Sequence, residues 1–248
     1  MTPQTIDEVL ARLDEIIAHS RQHNERLGYF AVLYRAVTAK VKEGILAGHF
    51  EDGPRMERLD VIFANRYLEA FDQYRRGERP TRSWLVAFKA AEQWPPIVLQ
   101  HLLLGINAHI NLDLGVAAAL TSPGDQLPSL KKDFNTINDI LGVMTGTVQD
   151  QLARVSFWMR VLDRFGRNAD EALMNFNIEV ARDAAWRFAQ RLAPLTPAEI
   201  ECEIEERDRW VELLARLVRH PPVTVRLINF AVRLTEPRSV ARIIDILY

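Results

Sequence analysis

Apolar residues recur every three to four positions along almost the whole chain, the period of helices that bury one face. Ile6, Val9, Leu10, Leu13, Ile16 and Ile17 share one side of a first helix, which Thr5 is placed to cap. A second helix spans about 27–46, with Phe30, Leu33, Val37, Val41 and Ile45 on one side. GHFEDGPRM breaks it as a turn, and a third helix runs over roughly 56–75 through Leu59, Ile62, Phe63, Tyr67 and Phe71. After RRGERPT, Ser83 caps a shorter helix that ends near Glu92. Pro95 and Pro96 fit the first turn of the next helix, where a missing N–H does no harm. That helix stops at TSPGDQLPS, and further periodic segments cover 130–165, with a weak point at Gly142 and Gly146, and 169–192. Thr196 and Pro197 open another helix that Pro221 and Pro222 close, and segments 223–234 and 237–247 follow. Only VTVRLI has even a brief strand-like alternation, and it fits a helix equally well. The pattern predicts an all-α single domain over 1–248: about eight to ten helices around a buried central helix near 96–119, with 197–248 as a helical extension packed on it.

The central segment, LQHLLLGINAHINLDLGVAAA, is apolar all round yet carries His101, Asn107, His109, Asn111 and Asp113. A buried polar group without a partner costs on the order of 1–3 kcal/mol, and a charge costs more. Those five groups therefore need an internal hydrogen-bond network or a ligand. At about 100° per residue counted from His101, His109 falls near 80° and Asp113 near 120°, while Asn107 and Asn111 lie on the far side. His109 and Asp113, at i and i+4, can reach one metal ion or one substrate, with His101 as a further metal ligand. Alternatively, Asp113 accepts from His109 and the two asparagines tie neighbouring backbones together. Gly105 and Ala108 let a second helix approach closely in either case.

Other residues extend the candidate site. Asp60, inside the apolar stretch LDVIFA, is a third ligand or general base; Glu57, three residues earlier, is a first-turn charge. Asn138 sits among Ile137, Ile140 and Leu141 and is placed to meet Asn107 or Asn111, with Asp133 as a helix cap nearby. Arg182, a single cation amid apolar residues, suits an anionic substrate, neutralises Asp113, or pairs with Glu179 or Asp183. His49, Glu51 and Asp52 share a surface turn, and the acidic run from Glu199 to Asp208 reads as a solvated helix face.

Composition narrows the class. The chain of 248 residues is 48% hydrophobic and 26% charged, enough for a sizeable core without disulfides. Its formal net charge of −2 and the lack of a dense basic patch argue against nucleic acid as a partner. A lone cysteine, Cys202, excludes an internal disulfide and suits a reducing cytoplasm. The acidic, amphipathic start is unlike a signal peptide, and the polar residues of 99–120 argue against a membrane span. There is no GxGxxG, P-loop, HExxH, CxxC or GxSxG motif, no pair of ExxH motifs and no heptad regularity.

The run LLLGINAHINLDL, with KVKEGILAGHFEDGPRMERLDVIFANRYLEA and FNTINDIL, resembles the signature of an uncharacterised family of bacterial helical proteins over about 37–192. The resemblance implies an all-helical fold and no established activity. LGINAHINLDL is also similar, more weakly, to the H-x-x-x-D helix of zinc-dependent phospholipases C and single-strand nucleases, which implies zinc ligation by His109 and Asp113. This chain departs from that pattern: His220 is the single histidine after Asp113, so one or two metals would need carboxylates from elsewhere.

Two functions remain open from sequence. One is an enzyme with a polar pocket inside the bundle, built on His101, His109, Asp113, Asp60 and Arg182, with Asn107, Asn111 and Asn138 joining Arg182 in binding the substrate, and hydrolysing a small molecule with zinc, iron or manganese activating water, or with His109 as general base. The other is a non-catalytic binder of a small, partly apolar ligand, or a structural protein with a hydrogen-bonded core.

Overall fold

The computed structural model describes residues 2–156 and 178–248. Among them there is no strand, and the architecture is an all-α bundle. The helices are α1 (Ile6–His23), α2 (Gly28–Leu46), α3 (Gly53–Arg75), α4 (Arg82–Ala91), α5 (Val98–Ala108), a π-helical segment (His109–Asp113), α6 (Leu114–Thr121), a short 3₁₀ turn (Gly124–Gln126), α7 (Leu127–Val155), α8 (Ile178–Leu192), α9 (Pro197–Arg219), α10 (Val223–Thr235) and α11 (Val240–Leu247). Parts of the two segments expected over 130–165 and 169–192, residues 157–165 and 169–177, lie outside the described residues.

Local chemistry sets most boundaries. Thr5 caps α1 by accepting from the Glu8 amide, and Thr196 with Glu199 caps α9 ahead of Pro197. α3 begins earlier than the apolar period suggests, because Asp52 accepts from the Arg55 amide at 2.9 Å and Pro54 fits the first turn. Pro95 and Pro96 precede α5 rather than opening it; Gln100 Oε1 accepts instead from the Ile97 amide at 3.1 Å. α7 passes through Gly142 and Gly146 without a break.

The continuous rod of α5, the π segment and α6 is the axis of the molecule. Among the described residues it is the one helix long and apolar enough to cross a membrane, and it is buried inside the protein. Its first half packs in a core with α1, α2, α3, α4 and α11 around Tyr29, Phe30, Tyr67 and Trp84. Its second half packs in a core with Met56 and Leu59 of α3, the start of α7, and Trp186 and Phe188 of α8. α9 lies along α4 and α5. Two glycines make these approaches possible. A Cβ on Gly105 would stand 2.3 Å from the Phe30 ring, and one on Gly115 would stand 2.7 Å from the Ala185 carbonyl. The close helix approach expected at Gly105 is thus present.

Asp208 corrects the reading of 199–208 as a solvated face. It is buried, and its carboxylate accepts from the Arg82 and Ser83 amides and the Ser83 hydroxyl at 2.6, 3.0 and 2.7 Å, capping α4 from another helix. Asp133 is not a helix cap: from within α7 it accepts from the Glu51 and Asp52 amides in the turn ahead of α3 and pairs with Arg55.

Candidate functional site

Between the two halves of the core, the rod widens into one π turn. The Leu114 amide donates to the His109 carbonyl, five residues back, where an α-helix would bond four back. The widened turn changes which carbonyls find partners inside the rod, and the Asn111 carbonyl accepts from Arg207 Nε of α9 at 2.9 Å. π turns of this kind concentrate at functional sites.

His109 and Asp113 bound this turn and are 3% and 1% exposed. Every contact of the Asp113 carboxylate is a donor: Arg66 Nε at 2.8 Å, Trp84 Nε1 at 2.8 Å and His109 Nδ1 at 3.4 Å. Burial alone would raise the Asp113 pKa, but Arg66, His109 and Trp84 together hold it below the usual carboxylate range. Burial also holds His109 neutral, against the opposing pull of Asp113. Its ring stacks on Phe63, 3.5 Å between centroids and 8° from parallel, with Tyr34, Phe30 and Trp84 around it, and Nε2 has no partner.

On the other side of the rod the asparagines tie backbones together. Asn111 Nδ2 donates to Asn107 Oδ1, and Asn107 Nδ2 to the Val211 carbonyl of α9, both at 3.0 Å. Asn138 does not join them; it is half-buried in a shallow surface groove with Lys131, Asn135 and Asp183.

His101 lies apart from His109. It lines a separate cavity of about 20 Å³ with Arg26, Phe30, Tyr67, Trp84 and Gly105, meets Tyr29 edge-on, and among the described residues has no partner at either ring nitrogen. Burial, with Arg26 and Arg233 adding to it, lowers its pKa to about 3, against a weak pull from the Pro96 carbonyl. The residues do not fit a metal site. No group of three or more His, Cys, Asp or Glu side chains converges among the described residues, and both Asp113 oxygens already accept from Arg66 and Trp84.

A folded pKa near 3 against an unfolded value near 6.5 has a clear sign. The unfolded chain takes up a proton that the folded chain refuses, so His101 costs stability as pH falls through that window. His101→Leu is therefore expected to gain on the order of 2 kcal/mol over wild type at pH 5 and much less at pH 7.5, measured by urea unfolding. An equal gain at both values would show that the imidazole titrates normally.

A second cavity, of about 40 Å³, holds the unclaimed chemistry. It lies between α2, α3, the π turn, α6, α7 and α8, lined by Tyr34, Asp60, Phe63, Ile110, Leu114 and Arg182 among others. Asp60 is 6% exposed, and among the described residues its Oδ2 has no partner. Burial, with Glu57 adding to it, raises its pKa to about 8. The Tyr34 and Thr38 hydroxyls, one turn apart on α2, form no well-made hydrogen bond either. Arg182 is 3% exposed, lies over the Phe134 ring and donates to the Phe134 carbonyl, while its Nε has no partner among the described residues. Burial lowers its pKa to about 10 against the pull of Asp183. Arg182 therefore does not neutralise Asp113; Arg66 does, at 2.8 Å.

The sequence placed Asp60 and Arg182 in the core but did not join them to one cavity. It missed Arg66, Trp84, Tyr34 and Arg207. Arg66 had a visible signal, since it follows the apolar Phe63 by three positions on the third helix. No curated protein and no solved structure matches the chain. The profile of a family described only as Family of unknown function (DUF5995) matches residues 6–221, most of the chain, and the protein belongs to that family.

Proposed function

We propose that the chain binds a small molecule with an apolar body and a hydrogen-bond acceptor, such as a carbonyl or carboxylate, in the cavity between Asp60 and Arg182. One observation carries this reading: two deeply buried side chains with unpartnered polar atoms, Asp60 Oδ2 and Arg182 Nε, line the same apolar cavity. Pockets of this composition, with few convergent polar groups and perturbed pKa values, are the usual form of small-ligand sites. With its pKa near 8, Asp60 is protonated at neutral pH and donates, as does Arg182 Nε, so both ends favour an acceptor and disfavour a cation. A cavity of about 40 Å³ holds one or two waters, so a larger guest displaces the half-buried Ile137 and Leu141. Hydrolysis by metal-bound water has less support, because His101, His109 and Asp113 are not assembled as a donor set. In this reading the pair of His109 and Asp113 braces the π turn that forms one wall of the cavity.

The lining supplies its own reporters. In methyl-labelled protein, butanoate, benzoate and cyclohexanone serve as probes, and at least one is expected to shift the methyl signals of Val37, Val41, Ile110, Leu114, Ile137 and Leu141 together. Asp60→Leu, which fills the cavity and removes the donor, weakens that binding at least tenfold. If none of the three probes moves these signals up to its solubility limit, the reading fails.

A further inference from the structure

Arg55, Arg66 and Arg233 are mostly buried, and each stands against a carboxylate: Asp133 at 2.7 Å, Asp113 at 2.8 Å and Glu236 at 2.9 Å. Arg182 departs from that pattern. It is the most deeply buried of the described lysines and arginines, yet no carboxylate among the described residues pairs with it. Its hydrogen bond goes to the Phe134 carbonyl, which carries no charge, and its Nε stays unpartnered beside the cavity. Asp183, the next residue, is exposed and draws on the Arg182 charge without pairing with it. A second cation adds to the imbalance. Lys131 of α7 lies over the Trp186 ring at 4.6 Å and over Phe134, the ring that Arg182 covers from 4.4 Å. Burial holds the Lys131 pKa down, and Arg182 adds to that against the pull of Asp183. A buried charge left in this state is costly unless something pairs with it.

We propose that the ligand of this cavity is a monocarboxylate, whose carboxylate seats on Arg182 and whose apolar body runs along Leu114, Ile137 and Leu141 toward Asp60. This assignment rests on the ligand reading of the cavity given above and narrows the guest from any acceptor to one anion. Charge decides between the candidates. Asp60 is protonated at neutral pH, so the lining carries the single positive charge of Arg182. One carboxylate neutralises that charge and matches the planar fork of a guanidinium. A neutral carbonyl would leave the charge uncompensated. A phosphate monoester brings close to two charges and three acceptor oxygens, more than the otherwise apolar lining can satisfy. A second carboxylate at the far end would meet Asp60, on which Glu57 already acts as a like charge.

Two pairs of near-isosteric probes, butanoate with butanamide and benzoate with benzamide, test the assignment in the wild-type protein through the methyl signals of Leu114, Ile137 and Leu141. In at least one pair the carboxylate is expected to bind at least tenfold more tightly than its amide at pH 7. Arg182→Met, which keeps an unbranched apolar stem, removes that preference. The wild-type comparison needs no variant, so it decides the matter even where Arg182→Met fails to fold. Equal affinities within both pairs overturn the carboxylate and leave the cavity as a site for neutral acceptors. Cyclohexanone moving the signals while neither carboxylate does so has the same meaning. A preference that persists in folded Arg182→Met also overturns it, because the anion is then held elsewhere. If neither pair nor cyclohexanone moves the signals, the ligand reading and the carboxylate fall together.

Discussion

Asp60→Asn is expected to stabilise the protein on the order of 5 kcal/mol at pH 9 and to change it little at pH 4. The folded chain keeps Asp60 protonated up to about pH 8, whereas the unfolded chain releases that proton near 3.8. Between those values the native state holds one proton more, so stability falls by about 1.4 kcal/mol for each unit of rising pH and levels off above 8. Asparagine is neutral throughout and removes the slope. Other buried groups contribute slopes of their own, His101 in the opposite direction, so the informative quantity is the difference between variant and wild type measured across pH by urea unfolding. A difference that does not vary between pH 4 and 9 would mean that Asp60 ionises normally and that its cavity is wet.

Asp113→Asn is expected to cost about 3–5 kcal/mol at pH 7, the range seen when one partner of a buried ion pair is removed. Arg66, Trp84 and His109 all donate to this side chain. An asparagine of the same shape must turn its NH₂ toward one of those donors and leaves the Arg66 charge uncompensated. Because the Asp113 pKa is held below its unfolded value, the stabilisation is complete above about pH 4 and is lost as pH falls through the folded pKa. The penalty of the variant should therefore shrink in acid. A cost below about 1 kcal/mol at neutral pH, in urea unfolding followed by tryptophan fluorescence, would show that the carboxylate does not brace the π turn.

Helix existence was legible because it rests on local signals. The apolar period, Thr5, and Thr196 with Pro197 act within a turn of where they stand, and the elements they mark were placed to within a few residues. The weak point expected at Gly142 and Gly146 did not materialise, since two glycines cost a long helix less than its packed ends return. What sequence could not show was contact between distant segments. Asp113 finds Arg66 across 47 positions, and Asp208 caps α4 across 125, neither of which any local pattern encodes. The π turn has no sequence signature of its own, and Arg207, which donates to its Asn111 carbonyl, arrives from α9. The same limit applies to the candidate site. The cost of burying Asp60 and Arg182 could be inferred from their apolar neighbours, but the cavity they share is built by five separate helices and the π turn.

α11 buries Val240, Ile243, Ile244 and Leu247 in the core shared by α1 and α2. A growing chain therefore holds α1 and α2 with an open seam until residues 240–247 have left the ribosome. α1 and α2 are thus made well before the segment that seals them, and they stand in the growing chain with exposed apolar surface that chaperones have time to recognise.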